Sequence, residues 1–159
     1  MIPVPSKPFN QEALNRIFTV SPKHADRLIS RESAWLEFKE SFGFGNLGKY
    51  IRSAAGFANA KGGYIVYGVA DSPHKLIGLK NDAFDKLDPA KLTEYLNNHF
   101  DPEIHSERHL YELNGKSYGL PYFHESSNKS VVCKRSADDG KNLKEGKIYY
   151  RYSGRTQNS

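Results

Sequence analysis

The chain has 159 residues, 23 Lys and Arg against 18 Asp and Glu, and a single cysteine. That length supports one domain with its own core and requires no metal or disulfide staple, and Cys133 alone can form neither an internal disulfide nor a cysteine-rich zinc site, so no zinc is expected. No apolar run approaches the roughly 20 residues of a membrane-spanning helix, and the opening MIPVPSKPFNQEALNRIF lacks the basic-then-apolar order of a secretory signal; the expectation is a cytoplasmic protein with no membrane partner.

Residues 1–22 read as an N-terminal arm with a short helix, and 23–159 as the domain proper. Three prolines keep residues 1–9 extended. Asn10 is placed to cap a helix over 11–18, with Ala13, Leu14, Ile17 and Phe18 on one face. A first strand is predicted at 34–39, then the glycine-rich turn GFGNLG at 43–48 and an amphipathic helix at 47–60, whose Ile51, Ala54, Ala55 and Ala58 recur at helical spacing. Gly62-Gly63 ends that helix and opens YIVYGV (64–69), a buried-strand run. A short strand at 76–79 is predicted to close a hairpin with it. Asp88-Pro89 starts a second long helix, running to about residue 100. Beyond it HLYEL-NG-KSYGLPYF forms a hairpin around Asn114-Gly115, and SVVCKR (130–135) and KIYYRY (147–152) add strands. The order predicts an α+β fold, one mixed sheet with helices packed against it.

Charge is unevenly placed. Residues 1–128 are balanced, fifteen basic against fifteen acidic, while residues 129–159 hold eight basic and three acidic side chains, the whole excess of +5. Lys134, Arg135, Lys147, Tyr149, Arg151 and Arg155 interleave cations and aromatic rings, the combination that pairs phosphates and stacks bases. The other reading is an edge hairpin guarded by solvated lysines.

Two motifs carry candidate chemistry. GFGNLGK matches G-x-G-x-x-G and the start of a P-loop, glycines that let backbone amides approach phosphates at a helix start. A P-loop needs Ser or Thr after its lysine, where this chain has Tyr50, and a dinucleotide site needs an apolar strand beforehand, where AWLEFKE alternates. The second motif is Glu32-x4-Glu37-x-Lys39 with Asp71 after YIVYGV. Glu37 and Lys39 share a strand face; Glu32 joins them only if the chain bends near Ser33-Ala34. Three carboxylates would suit Mg2+ or Mn2+, and the alternative is three surface acids, one paired with Lys39. The six histidines show no tight ligand spacing and read as surface or packing residues.

The run ESAWLEFKES, then AAGFANAKGGYIVYGVAD, then IGL, with KIYYRYSGRT at the end, resembles the Schlafen AlbA-type domain over about residues 31–156. The resemblance implies nucleic-acid binding. In the family's nuclease branch it implies a metal-dependent RNA-cleaving site, which maps onto Glu32, Glu37 and Asp71 as catalytic and metal-ligating acids with Lys39 as the adjacent base. The expected function is therefore nucleic-acid binding with metal-dependent endoribonuclease activity on tRNA-like, structured or single-stranded RNA, with RNA favoured and DNA possible as the partner. A non-catalytic DNA- or RNA-binding regulatory module is the alternative, and nucleotide (ATP) binding through residues 43–49 the third. Vertebrate Schlafen cores clamp nucleic acid between two such lobes, so a homodimer of this single lobe, joined through GLPYF and KIYYRY, is a further expectation.

Overall fold

A computed structural model of the chain describes residues 8–43, 45, 47–71, 73–127, 129–137 and 140–158. Residues 1–7 of the expected N-terminal arm, Phe44 and Asn46 of the glycine-rich turn, and Asp138 and Asp139 of the basic segment lie outside the described residues.

The elements follow the hydrophobic periods of the sequence. Helix α1 (Gln11–Ile17) is capped by Asn10, whose side-chain oxygen accepts from the Ala13 amide at 2.9 Å, satisfying one of the amides a helix start leaves open. Strand β1 (Leu36–Lys39) leads to helix α2 (Leu47–Ala58) and strand β2 (Gly63–Tyr67). Short α3 (Ala83–Lys86) precedes α4 (Pro89–His99), where Asp88 is the cap and Pro89 fills the first turn. Strand β3 (Phe100–Asp101), β4 (Ser106–Leu113), β5 (Lys116–Phe123), β6 (Val132–Cys133), β7 (Tyr149–Tyr152) and β8 (Arg155–Asn158) complete the chain. Asn114 and Gly115 both take positive φ, 52° and 77°, the conformation a two-residue hairpin requires.

The main sheet has the order β1-β2-β5-β4; β1 and β2 run parallel and the other pairs antiparallel. Helix α2 makes the crossover between the parallel pair. All five residues of β2 are buried. Tyr64 and Val66 join Leu36, Phe38, Tyr118 and Leu120 beneath α1, whereas Ile65 and Tyr67 join Ile51, Phe57, Phe84, Leu96 and Phe123 beneath α2 to α4. A strand covered on both faces reads as a continuous apolar run instead of an alternating one, which is why YIVYGV stood out. Two glycines hold this packing close. A Cβ on Gly63 would collide with the Phe57 ring and lie 2.7 Å from the Trp35 carbonyl, and one on Gly56 would lie 2.6 Å from Thr156 Cγ2.

Three expectations are corrected here. Residues 76–79 form no strand: Val69 and Leu76 share a single bridge, as do Arg27 and Lys75, and Gly68, at a φ of 112°, takes the Ile77 and Gly78 amides on its one carbonyl in place of a regular ladder. GLPYF is no exposed edge. It is the second half of β5, held between β2 and β4, with Gly119–Phe123 buried, so it offers no surface to a second copy. Strand β8 was not expected; it returns from Ser153-Gly154 to pair with β7, Arg151 opposite Thr156. Among the described residues no helix is long and apolar enough to cross a membrane.

Candidate functional site

Strand β1 buries Leu36 and Phe38 beneath α1, so Glu37 and Lys39 face α2 together. Glu37 is only 6% exposed, and a carboxylate there is stable only if paired and hydrogen-bonded. The fold supplies three partners. Arg151 reaches across from β7 and places Nη1 2.7 Å from Glu37 Oε1. Ser53 of α2 donates its hydroxyl to Oε2 at 3.0 Å, and the Lys39 ammonium stands 3.9 Å from Oε2. Arg151 is itself held by further bonds. Its Nε donates to the Ser33 carbonyl and its Nη2 to the Leu36 carbonyl, both at 3.0 Å, while its guanidinium lies 4.8 Å from the Phe57 ring centroid.

Glu32 does return to this strand. The chain turns at residues 33–35, with Ser33 bridged to Leu36, and the Phe38 amide donates to Glu32 Oε2 at 3.2 Å. Asp71, beyond β2, is exposed. Among the described residues, no three His, Cys, Asp or Glu side chains are grouped so as to hold a metal ion. The structure thus does not bring Glu32, Glu37 and Asp71 into one group: Glu37 is paired with Arg151, Glu32 caps a strand amide, and Asp71 lies exposed beyond β2.

Beside Glu37 lies a pocket of about 150 Å³, lined by Glu37, Lys39, Ser41, Lys49, Tyr50 and Tyr67. It joins the end of β1 to the first turn of α2. A second, larger cleft of about 670 Å³ lies at the other end of the sheet and includes Glu103, His105, His124, Glu125 and Lys129. His124 Nε2 is 2.6 Å from Glu107 Oε2 there.

The basic segment forms a layer over α2. Strand β6 and Ile148 are bridged, the Cys133 amide donates to the Lys147 carbonyl, and Asn59 at the end of α2 ties the layer down. The Asn59 side-chain nitrogen donates to the Val131 carbonyl at 3.0 Å and the Tyr149 carbonyl at 2.9 Å, while its oxygen accepts from the Val131 amide at 2.6 Å. Of the residues expected to meet nucleic acid, Lys134, Arg135 and Arg155 are exposed and Lys147 is half-buried. Arg151 and Tyr149 are corrected. Both point inward along β7, and the Tyr149 hydroxyl accepts from the Lys144 amide at 2.9 Å. Tyr150 and Tyr152, on the alternate face, point outward with ring centroids 6.2 Å apart, and Tyr152 pairs across the hairpin with Arg155. Sequence reasoning did not single out Ser41 or Ser53, and weighed Lys49 only as part of the glycine-rich motif. Ser53 lies one helical turn beyond Lys49, a spacing visible in the sequence once the helix is placed.

The DIP2311 protein of Corynebacterium diphtheriae, a crystal structure, superposes with a TM-score of 0.60 at 14% identity, over 92% of this chain and 25% of that one. The N-terminal domain of a RecG-related protein from Nitrosomonas europaea, solved by NMR, gives a TM-score of 0.45 at 22% identity, over 73% of this chain and 80% of that one. In sequence, the chain is 38% identical over 143 residues to an uncharacterized ATP-binding protein of Ureaplasma parvum. The match covers 82% of this chain and 40% of that relative, so the chain spans about two fifths of its length. The family model described as Schlafen, AlbA_2 matches residues 32–158, the stretch from Glu32 to the end of β8, and the chain belongs to that family.

Proposed function

We propose that this domain binds nucleic acid, with unpaired RNA the favoured polymer, across the outer face of the β7–β8 hairpin and the basic loops beside it. The observation that carries this reading is the sorting of the +5 segment. Of the eight basic side chains between residues 129 and 155, Arg151 alone is buried, and the outward pair Tyr150 and Tyr152 stands beside Arg155. Cations track a phosphate backbone and tyrosine faces accept unstacked bases. The family membership is in keeping with a nucleic-acid partner.

Fluorescence anisotropy of a labelled single-stranded 12-mer against rising salt tests it. The expected slope of log K against log salt is about −0.7 per phosphate neutralised. Replacing Lys147 and Arg155 by Gln should flatten it by about one unit for each phosphate left without its cation. Replacing Tyr150 and Tyr152 by Ala should weaken binding at least about tenfold, since roughly two bases would have no ring to stack on. Unchanged affinity and slope in both double variants would return this face to a solvated, guarded edge.

Metal-dependent cleavage needs carboxylates free to bind a cation, and Glu37 is not. Titrating Mn2+ into EDTA-treated protein should leave the thermal midpoint unmoved. A midpoint that climbs with Mn2+ concentration, as binding to the native state demands, would show the acids rearranging into a site.

The ATP reading, which the description of the Ureaplasma relative would support, meets a size limit. Sites for whole small molecules occupy about 300–1,000 Å³, against about 150 Å³ beside the glycine-rich turn. The 670 Å³ cleft is large enough but sets Glu103 and Glu125 against Lys129, a poor match for a triphosphate.

A further inference from the structure

We propose that the pocket between β1 and the start of α2 is a seat for one phosphate monoester group, held by Lys39, Lys49 and Ser41. Size selects the ligand first. About 150 Å³ holds a single tetrahedral anion and its water but not a nucleotide.

Charge selects it further. Glu37 and Arg151 cancel each other at the back of the pocket. The ammonium groups of Lys39 and Lys49 then remain as two positive charges on its rim, and Lys49 has no counter-ion among the described residues. A phosphate monoester carries about −1.5 to −2 at neutral pH, and a backbone diester only one negative charge. The pocket thus matches a free or terminal phosphate better than an internal one.

Donors complete the match. The first turn of α2 begins at Leu47, where backbone amides have no partners within the helix and the helix dipole favours an anion. Ser41 adds a hydroxyl. Tyr50 lines the pocket, and its hydroxyl is buried without a hydrogen-bond partner among the described residues; burial pushes that phenol far above its ordinary range and keeps it a donor.

Calorimetric titration of the full chain with inorganic phosphate tests the site without any nucleic acid. One site per chain is expected, weakened roughly tenfold by Lys39→Gln or by Lys49→Gln, as loss of one charge-assisted bond implies, and abolished in the double variant. Lys91→Gln, on the exposed face of α4, should bind as the parent does, and unchanged thermal midpoints would show that the pocket variants are folded. No phosphate binding, or equal binding by the folded double variant, overturns the proposal. Oligonucleotides with a 5′-phosphate or a 5′-hydroxyl identify the source. A preference for the phosphorylated end that disappears in the double variant assigns the site to a polynucleotide terminus, and phosphate binding without that preference assigns it to a small phosphate. Failure here leaves binding of the hydroxyl oligonucleotide through Tyr150 and Tyr152 intact, so the two proposals fail separately.

Discussion

Replacing Arg151 by Met is expected to destabilise the domain by about 3–5 kcal/mol, because it removes one partner of a buried ion pair and leaves the other charged. Glu37 would keep only the Ser53 hydroxyl and a distant Lys39, and the carbonyls of Ser33 and Leu36 would lose their donor. A domain of this size has a total stability of roughly 5–15 kcal/mol, so the loss is a large fraction of the whole. Urea denaturation followed by Tyr and Trp fluorescence measures the change. The double variant Glu37→Gln with Arg151→Met removes both charges and should recover part of the loss, since residues in direct contact couple by about 0.5–3 kcal/mol. A single variant costing under about 1 kcal/mol would mean that water already reaches Glu37, and a carboxylate so exposed would be open to metal after all.

The same residue shows where the sequence was legible and where it was not. The alternation of β7 sorts Tyr149 and Arg151 onto one face and Tyr150 and Tyr152 onto the other. Charge alone cannot say which face turns inward, and a +5 segment argues for outward. The deciding fact is non-local. A buried glutamate more than a hundred residues earlier requires a cation, and the hairpin that follows the layer over α2 supplies it. Helices α1 and α4 were legible because Asn10, Asp88 and Pro89 mark their starts locally. Strand β2 was legible because both of its faces are covered. Strand β8 has little apolar content of its own and exists because Thr156 packs against Gly56 and pairs with Arg151. The acidic motif was legible as a local arrangement, since Glu37 and Lys39 share a wall and Glu32 folds back to β1. Its partner was not, because spacing along the chain does not reveal that Arg151 pairs with the Glu37 carboxylate.

Asn59 couples that scaffold to the proposed binding face, and its replacement by Ala carries the second large effect. Its side chain makes three bonds to backbone groups of the layer, at 2.6, 2.9 and 3.0 Å. The residues they serve, Val131 and Tyr149, are 0% and 3% exposed. Water therefore cannot replace the missing partners without opening the layer, and each unmet group costs about 1–3 kcal/mol. Because the three act together, the total expected is roughly 3 kcal/mol rather than their sum. Asn59→Asp should do no better: it keeps the acceptor for the Val131 amide but loses both donated bonds and buries a charge. If the loss is local, hydrogen exchange at the Val131 amide should accelerate by the same free energy, about a hundredfold, while amides of β2 change less. Single-stranded nucleic-acid affinity should fall with it, since Lys134, Lys147 and the hairpin tyrosines ride on this layer. Phosphate binding at Lys39 and Lys49, on the opposite end of α2, should hold. An Asn59→Ala protein with parental stability and an unaltered Val131 amide would show that the layer is held by β3, β6 and its apolar packing alone, and would leave the asparagine without a structural role.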